Sequence, residues 1–280
     1  MDSKIHPIRI EFQLPVSEEK KVERVVYSYV VLGEQLCLID TGPVGGQQAI
    51  VARLADLGRS AKDIDLVINT HEHPDHIGGN TFFHENAQPV FACHSAAVRW
   101  IETLDVQFKE RPIYKFYSLA GQPVAIQKKL EDGQEIDLGG GTTLKVIFTP
   151  GHSPGSISLF CPQDGSLIVA DAIQPVDRLP LYIDLADTRG SLQRLLALEG
   201  VQRMYLAWVE KPYTGSEIKD TLTASLEYLD QVDTTVKTVA GEISADATAD
   251  EITREVLLRL GLEPPPVMPM TVASIKTHLP

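Results

Sequence analysis

At 280 residues with 43% apolar side chains, the chain can bury one large core or two modest ones, and its formal charge of −13 repels phosphate backbones and anionic lipid surfaces. No Lys/Arg-rich stretch offsets that charge, so neither nucleic acid nor a membrane is expected as a partner. No apolar run approaches the ~20 residues that span a bilayer, and Met1-Asp2-Ser3-Lys4-Ile5-His6 lacks the apolar region of a signal peptide, which predicts a soluble, cytoplasmic protein.

In chain order, residues 24–32 and 35–39 are rich in β-branched and aromatic side chains around the turn-like Gly33-Glu34, which predicts a hairpin. It ends at Asp40-Thr41-Gly42, and residues 47–57 then place apolar side chains at helical spacing before Gly58. Ser60 and Asp63 form a capping-box pattern, and Leu66-Val67-Ile68 reads as a short buried strand leading into His71. A strand at 89–92 and a helix over 96–104 follow. Residues 105–124 break the pattern with Pro112, Gly121 and Pro123, predicting a long excursion that could serve as a lid. Residues 131–147 read as strand, turn and strand, and 156–161 pairs with 167–170 through Asp164-Gly165. Asp187 is the predicted cap of a helix through Leu198, residues 204–207 form a strand, and 216–231 a long amphipathic helix. The end of the chain reads as helix (250–260), rigid connector (Pro264-Pro265-Pro266) and helix (271–278). The strand-then-helix arrangement occurs once in each half, which predicts an α/β (α+β) fold of two mixed sheets sandwiched between helices, αββα. The expected division is 1–235 for that body and 236–280 for a helical extension packed on the body or on a second subunit, which leaves a homodimer open.

Cys37, Cys93 and Cys161 form no CxxC pair and lie in apolar segments, so they read as buried free thiols. Cys93, next to His94, is the one with a neighbouring base and stands as an alternative nucleophile. His94, at a strand end, reads as a supporting or capping residue, and His6, His84 and His278 as surface residues.

The densest chemistry is Asn69-Thr70-His71-Glu72-His73-Pro74-Asp75-His76-Ile77-Gly78-Gly79, with three imidazoles and two carboxylates directly after an apolar strand. Neutral imidazole and carboxylate are the donors that borderline divalent metals prefer. Pro74 disfavours helix at His73, so His71 and His73 stay extended and point the same way, while Asp75 and His76 lie where a helix begins. One segment can then feed two adjacent ions. The zincin pattern HExxH does not apply, because Asp75 stands four residues after His71 and Pro74 interrupts the helix.

His71-Glu72-His73-Pro74-Asp75-His76 resembles the HxHxDH motif of the metallo-β-lactamase fold superfamily. Pro150-Gly151-His152, Ala170-Asp171 and the upstream Asp40-Thr41-Gly42 resemble its other motifs, so that the likeness covers roughly residues 24–213. The resemblance implies that His71, His73 and His152 hold one ion, that Asp75 and His76 serve a second, and that Asp171 bridges them. It implies a small-molecule hydrolase using a metal-activated hydroxide on an ester, thioester or lactone bond, with Asp75 orienting the nucleophile and shuttling its proton. One or two Zn2+ ions are expected, with Fe2+ or Mn2+ as alternatives. The sequence departs from the family where a last histidine is usual: Trp208 stands there, indole cannot coordinate a metal, and Glu210 is a candidate replacement. A mononuclear site would also suit an iron dioxygenase acting on a persulfide-like substrate, or a metal-binding regulatory protein with little catalysis. Substrate contacts are expected from Arg178, which could instead pair with Asp177 or Asp184, and from Tyr182, Trp208 and Tyr213.

Overall fold

The computed structural model describes residues 4–173, 175–176, 178–244, 246–262 and 267–279. One sheet consists of β1 (Ile5–Pro15), β2 (Lys21–Leu32), β3 (Leu36–Ile39), β4 (Ile64–Ile68), β5 (Val90–His94) and β6 (Lys128–Leu130), hydrogen-bonded in chain order. Its first three strands are antiparallel and β3 to β6 run parallel. The other sheet holds β7 (Glu135–Asp137), β8 (Thr143–Phe148), β9 (Ile157–Cys161), β10 (Ser166–Ala170), β11 (Arg203–Leu206) and β12 (Tyr213–Thr214). There the neighbours are antiparallel apart from the parallel pair β10 and β11.

Strand side chains alternate between two destinations, as the pleat requires. Tyr29, Val31, Cys37, Ile39, Leu66 and Ile68 of the first sheet meet Val146, Ile157, Leu159, Ile168 and Tyr205 of the second in a shared core. The alternate positions face the helices. Val30, Leu38 and Val67 pack under α1 (Gln47–Asp56), α2 (Pro74–Ile77), α3 (Asn80–Asn86), α4 (Val98–Glu102), α5 (Leu104–Glu110) and α6 (Phe116–Ala120). Leu167, Val169, Met204 and Leu206 pack under α7 (Leu185–Leu196) and α8 (Ser216–Glu242). Strands buried on both faces read as near-continuous apolar runs, which is why β3, β4 and β10 stood out in the sequence. The result is the expected αββα sandwich.

Several elements differ from expectation. The eleven-residue β1 was not predicted; its exposed Arg9, Glu11 and Gln13 break the apolar run that marks a buried strand, as befits an edge. Residues 105–124 are largely ordered by α5 and α6, whose buried Leu104, Gln107, Phe116 and Leu119 pin them to the body. The cap of α7 is Asp184, three residues before the predicted Asp187, whose backbone N–H it accepts at 2.8 Å.

Helix α8 continues well past residue 231, and residue 235 lies inside it, so the chain has no structural break at that point. Its distal half packs against α9 (Ala249–Arg259) and α10 (Pro269–Lys276) through Val232, Val236, Val239, Ile252, Val256 and Ile275. The connector Pro264-Pro265-Pro266 lies outside the described residues. Helix α10 is also tied to the segment after β10: Ser274 Oγ accepts from Tyr182 N at 3.0 Å and donates to Tyr182 O at 2.8 Å. No helix among the described residues is long and apolar enough to cross a membrane.

Candidate metal centre

The site is assembled where strands of both sheets end. Beyond β4, Thr70 donates its backbone N–H to Asp40 Oδ1 and its hydroxyl to Asp40 Oδ2, both at 2.7 Å. Asp40 follows β3 in the left-handed region (φ 57°) and donates its own N–H to Ile68 O. His73 is extended at φ −69°, ψ 150°, and Pro74 opens α2, which carries His76, as Pro74 predicted. Gly78 closes α2 where a Cβ would lie 2.0 Å from Leu119 O, so α6 can sit this close only over glycine. From the other sheet, the turn after β8 brings His152 and the end of β10 brings Asp171. Gly151 before His152 has φ +121°, and a Cβ there would lie 2.3 Å from Thr188 Oγ1.

These chains converge on one point. His152 Nε2 lies 2.9 Å from His73 Nδ1 and 3.3 Å from Asp171 Oδ2. His71 Nε2 is 3.9 Å from Asp171 Oδ2, and His76 Nε2 is 3.5 Å from Asp171 Oδ1. The donors form two overlapping groups, His71/His73/His152 and His71/His76/Asp171.

Surrounding acceptors fix which nitrogen faces inward. Imidazole can only donate to a carboxylate or a carbonyl, so His76 Nδ1 carries the proton it gives to Asp40 Oδ2 (2.8 Å), and His152 Nδ1 the one it gives to Leu181 O (2.7 Å). His71 Nδ1 lies 3.1 Å from Thr70 Oγ1, whose proton is already committed to Asp40. His71, His76 and His152 therefore turn Nε2 to the centre while His73 turns Nδ1 towards His152, the arrangement by which outer partners orient metal-binding histidines.

Burial holds the pKa values of His71 and His73 well below the ordinary histidine value, and His152 is lowered for the same leading reason. For His76, burial again disfavours the cation, but Asp171 and Asp40 on either side outweigh it and hold the pKa well above. Asp171 stays below the usual carboxylate value despite burial because His76, His152 and Arg111 favour its charge.

The fit of a divalent cation can be judged from the polar atoms left over. His71 Nε2, His73 Nε2, His76 Nε2 and Asp171 Oδ1 are buried without a hydrogen-bond partner among the described residues. Such orphans are costly, and a cation would satisfy several of them together.

Five of the six residues predicted as ligands thus come together. The sixth, Asp75, is half-buried at the start of α2 and belongs to neither group. Trp208 lies beside His76, with ring centroids 6.3 Å apart, so indole does border the second group. Glu210 is exposed and belongs to neither group.

The expected substrate contacts are largely redirected. Arg178 is exposed, with its carbonyl accepting from Tyr228 OH, and Asp177 lies outside the described residues. Tyr182 borders a cleft beside His152, but its hydroxyl is engaged by His278 at 2.7 Å. Tyr213 packs with the helices on the outer face of the second sheet. His278, expected at the surface, is buried between Tyr182 and Asp233. His94 caps the turn after β5, accepting from Ala96 N at 3.2 Å, and stacks on Phe148. Cys93 is no nucleophile: burial, with Glu72 and Glu102 adding to it, pushes its thiol far up.

Two groups were missed. Glu72, between His71 and His73, is fully buried, and burial pushes its carboxyl up to about 7 although Ser153 and Gly155 favour its charge. Arg111 lines the cleft beside His152, in the electrostatic company of Asp75, Asp171 and Glu72. A lone arginine in an irregular stretch carries no local signature.

The sequence profile of the Metallo-beta-lactamase superfamily matches residues 22–207, from β2 to the end of β11. The chain belongs to this superfamily. Among its relatives in the superfamily, the acyl-coenzyme A thioesterase MBLAC2 of Gallus gallus is 33% identical over 148 residues, 48% of this chain and 51% of that protein. A hydroxyacylglutathione hydrolase of Brucella anthropi is 26% identical over 226 residues, 80% of this chain and 75% of that one. The chain therefore spans only about half the length of the Gallus gallus protein. A metallo-beta-lactamase family protein of Thermus thermophilus shares the fold at a TM-score of 0.74 with 20% identity, over 99% of this chain and 92% of that one.

Proposed function

We propose that this superfamily member is a metal-dependent hydrolase of small-molecule thioesters. The observation that carries the reading is the convergence of four imidazoles and a buried carboxylate at the ends of both sheets, with His71 Nε2, His76 Nε2 and Asp171 Oδ1 left without a hydrogen-bond partner among the described residues. The thioester preference is supported by the relatives named as an acyl-coenzyme A thioesterase and a hydroxyacylglutathione hydrolase. Those names also favour hydrolysis over oxygenation of a sulfur substrate.

His71, His73 and His152 would hold one ion, for which we propose zinc, and His76 and Asp171 a second and weaker one, since Trp208 supplies no donor; Asp75 joins that second ion only by its place in the family motif. A divalent ion in this place supplies Lewis acidity to the thioester carbonyl and lowers the pKa of water. The chain's own groups do the rest. Asp40 and Leu181 O keep His76 and His152 in the inward-facing tautomer. Asp75 takes the proton of the attacking water as oxygen bonds to the carbonyl carbon, and returns it to sulfur as the C–S bond breaks.

Elemental analysis of protein purified without added metal, with thioester turnover before and after chelation, tests this reading. Zinc at one to two ions per chain with chelator-sensitive turnover is expected; one iron with oxygen uptake would overturn it. Asp75→Asn should keep the first ion and lose at least about a hundredfold in kcat. Full activity in that variant would remove Asp75 from the mechanism.

A further inference from the structure

The cleft beside His152 is open to solvent, with a cavity volume of about 70 Å³, and is walled mostly by apolar side chains, among them Trp100 of α4, Ile183 of the segment after β10, and Pro269 and Met270 of α10. Arg111 is the Lys or Arg side chain that lines it. Its backbone N–H closes α5 on Gln107 O at 2.7 Å, which fixes where the residue leaves the helix. The side chain is half-buried, yet among the described residues it makes no ion pair and no side-chain hydrogen bond. The carboxylate nearest in sequence is taken: Glu110 accepts from Trp100 Nε1 at 2.9 Å and faces Arg99 at 3.7 Å. Arg111 is held only through space, by Asp75, Asp171 and Glu72. Cations bound at the neighbouring centre would offset Asp171 and Asp75, leaving Glu72, of those three, to balance the guanidinium fork.

We infer that Arg111 is a specificity residue that receives the carboxylate of an ω-carboxyacyl thioester, whose short methylene chain lies along the apolar wall towards His152. This rests on the thioester hydrolase reading and names the substrate class of the same site. A planar monoanion matches one guanidinium in bidentate fashion, whereas a polyphosphate would call for several cations, of which the described lining offers Arg111 alone. The apolar wall suits a hydrocarbon spacer and gives no reason for a polar one.

Three substrates separate the sources of the anion: the glutaryl thioester of N-acetylcysteamine, the pentanoyl thioester of the same thiol, and the pentanoyl thioester of mercaptopropionate, which carries its carboxylate on the thiol half. With metal-loaded protein, the ratio of kcat/KM for glutaryl over pentanoyl should fall at least about tenfold in Arg111→Gln, mostly through KM, and recover in part in Arg111→Lys. An unchanged ratio, or a loss confined to the mercaptopropionate substrate, overturns the inference. Calorimetric titration of glutarate into the same proteins gives a readout independent of turnover. Binding to the parent that is weakened about tenfold or more in Arg111→Gln supports it, and equal or absent binding overturns it. If none of the three thioesters is hydrolysed, the hydrolase reading fails and the glutarate titration still decides the role of Arg111.

Discussion

Asp40 carries the end of β4 on one oxygen and, on the other, both the Thr70 hydroxyl and His76. Asp40→Ala would leave His76 free to rotate and Thr70 N unpartnered. Metal affinity at the His76/Asp171 group should then fall about 10–100-fold, read by competition with a chromophoric chelator, while the His71/His73/His152 group loses less. The thiols give a pH-dependent expectation. A raised pKa keeps a thiol protonated, and so unreactive, until the pH approaches the raised value; burial lifts Cys161 to about 11 and Cys37 and Cys93 higher still. Iodoacetamide at pH 8 should therefore label none of the three in folded protein and all of them in urea, as counted by mass spectrometry. At this scale the sequence was most legible where chemistry is dense, as in the run from His71 to His76. It was silent where a residue's role depends on distant partners: His278 meets Asp233 and Tyr182 across 45 and 96 residues, so nothing beside it in the chain marked it as buried.

Among the elements, α10 matters most, because it walls the cleft and also holds the segment that orients His152. Ser274 clasps Tyr182, and the carbonyl of the preceding Leu181 receives the His152 proton. His278→Phe would leave the Tyr182 hydroxyl without its imidazole partner. A loss of about 1–3 kcal/mol in urea unfolding is expected, with weaker metal binding at the His152 group; a variant as stable as the parent would mean that Ser274 alone suffices as the clasp. Strands β3, β4 and β10 were readable because burial on both faces writes a continuous apolar run. The edge strand β1 and the helices α5 and α6 were not: an edge alternates irregularly, and helices this short show at most about two turns of periodicity.

On the scale of the whole molecule, the candidate ligands come from loops and the short helix α2 at the ends of both sheets, so an ion there would link the two layers across their shared core. A cation that binds the folded chain alone stabilises it by mass action, by about 4 kcal/mol at a thousandfold excess over Kd. Chelation should therefore lower Tm and re-addition restore it, as followed by calorimetry; no shift would mean that the centre is held by the fold without help from the ion. The sandwich class could be read from the alternation of strands and helices, but the number of strands in each sheet could not, because β6 and β12 are too short to leave a pattern. The long edge of the first sheet has a different consequence. The outer side of β1 has no strand beside it among the described residues, which in a concentrated solution is an invitation for another copy to add on. Pro7 withholds a backbone donor, and exposed Arg9 and Glu11 make close stacking of identical edges unfavourable. Replacing these residues with valine should therefore lower solubility at high protein concentration before it lowers thermal stability.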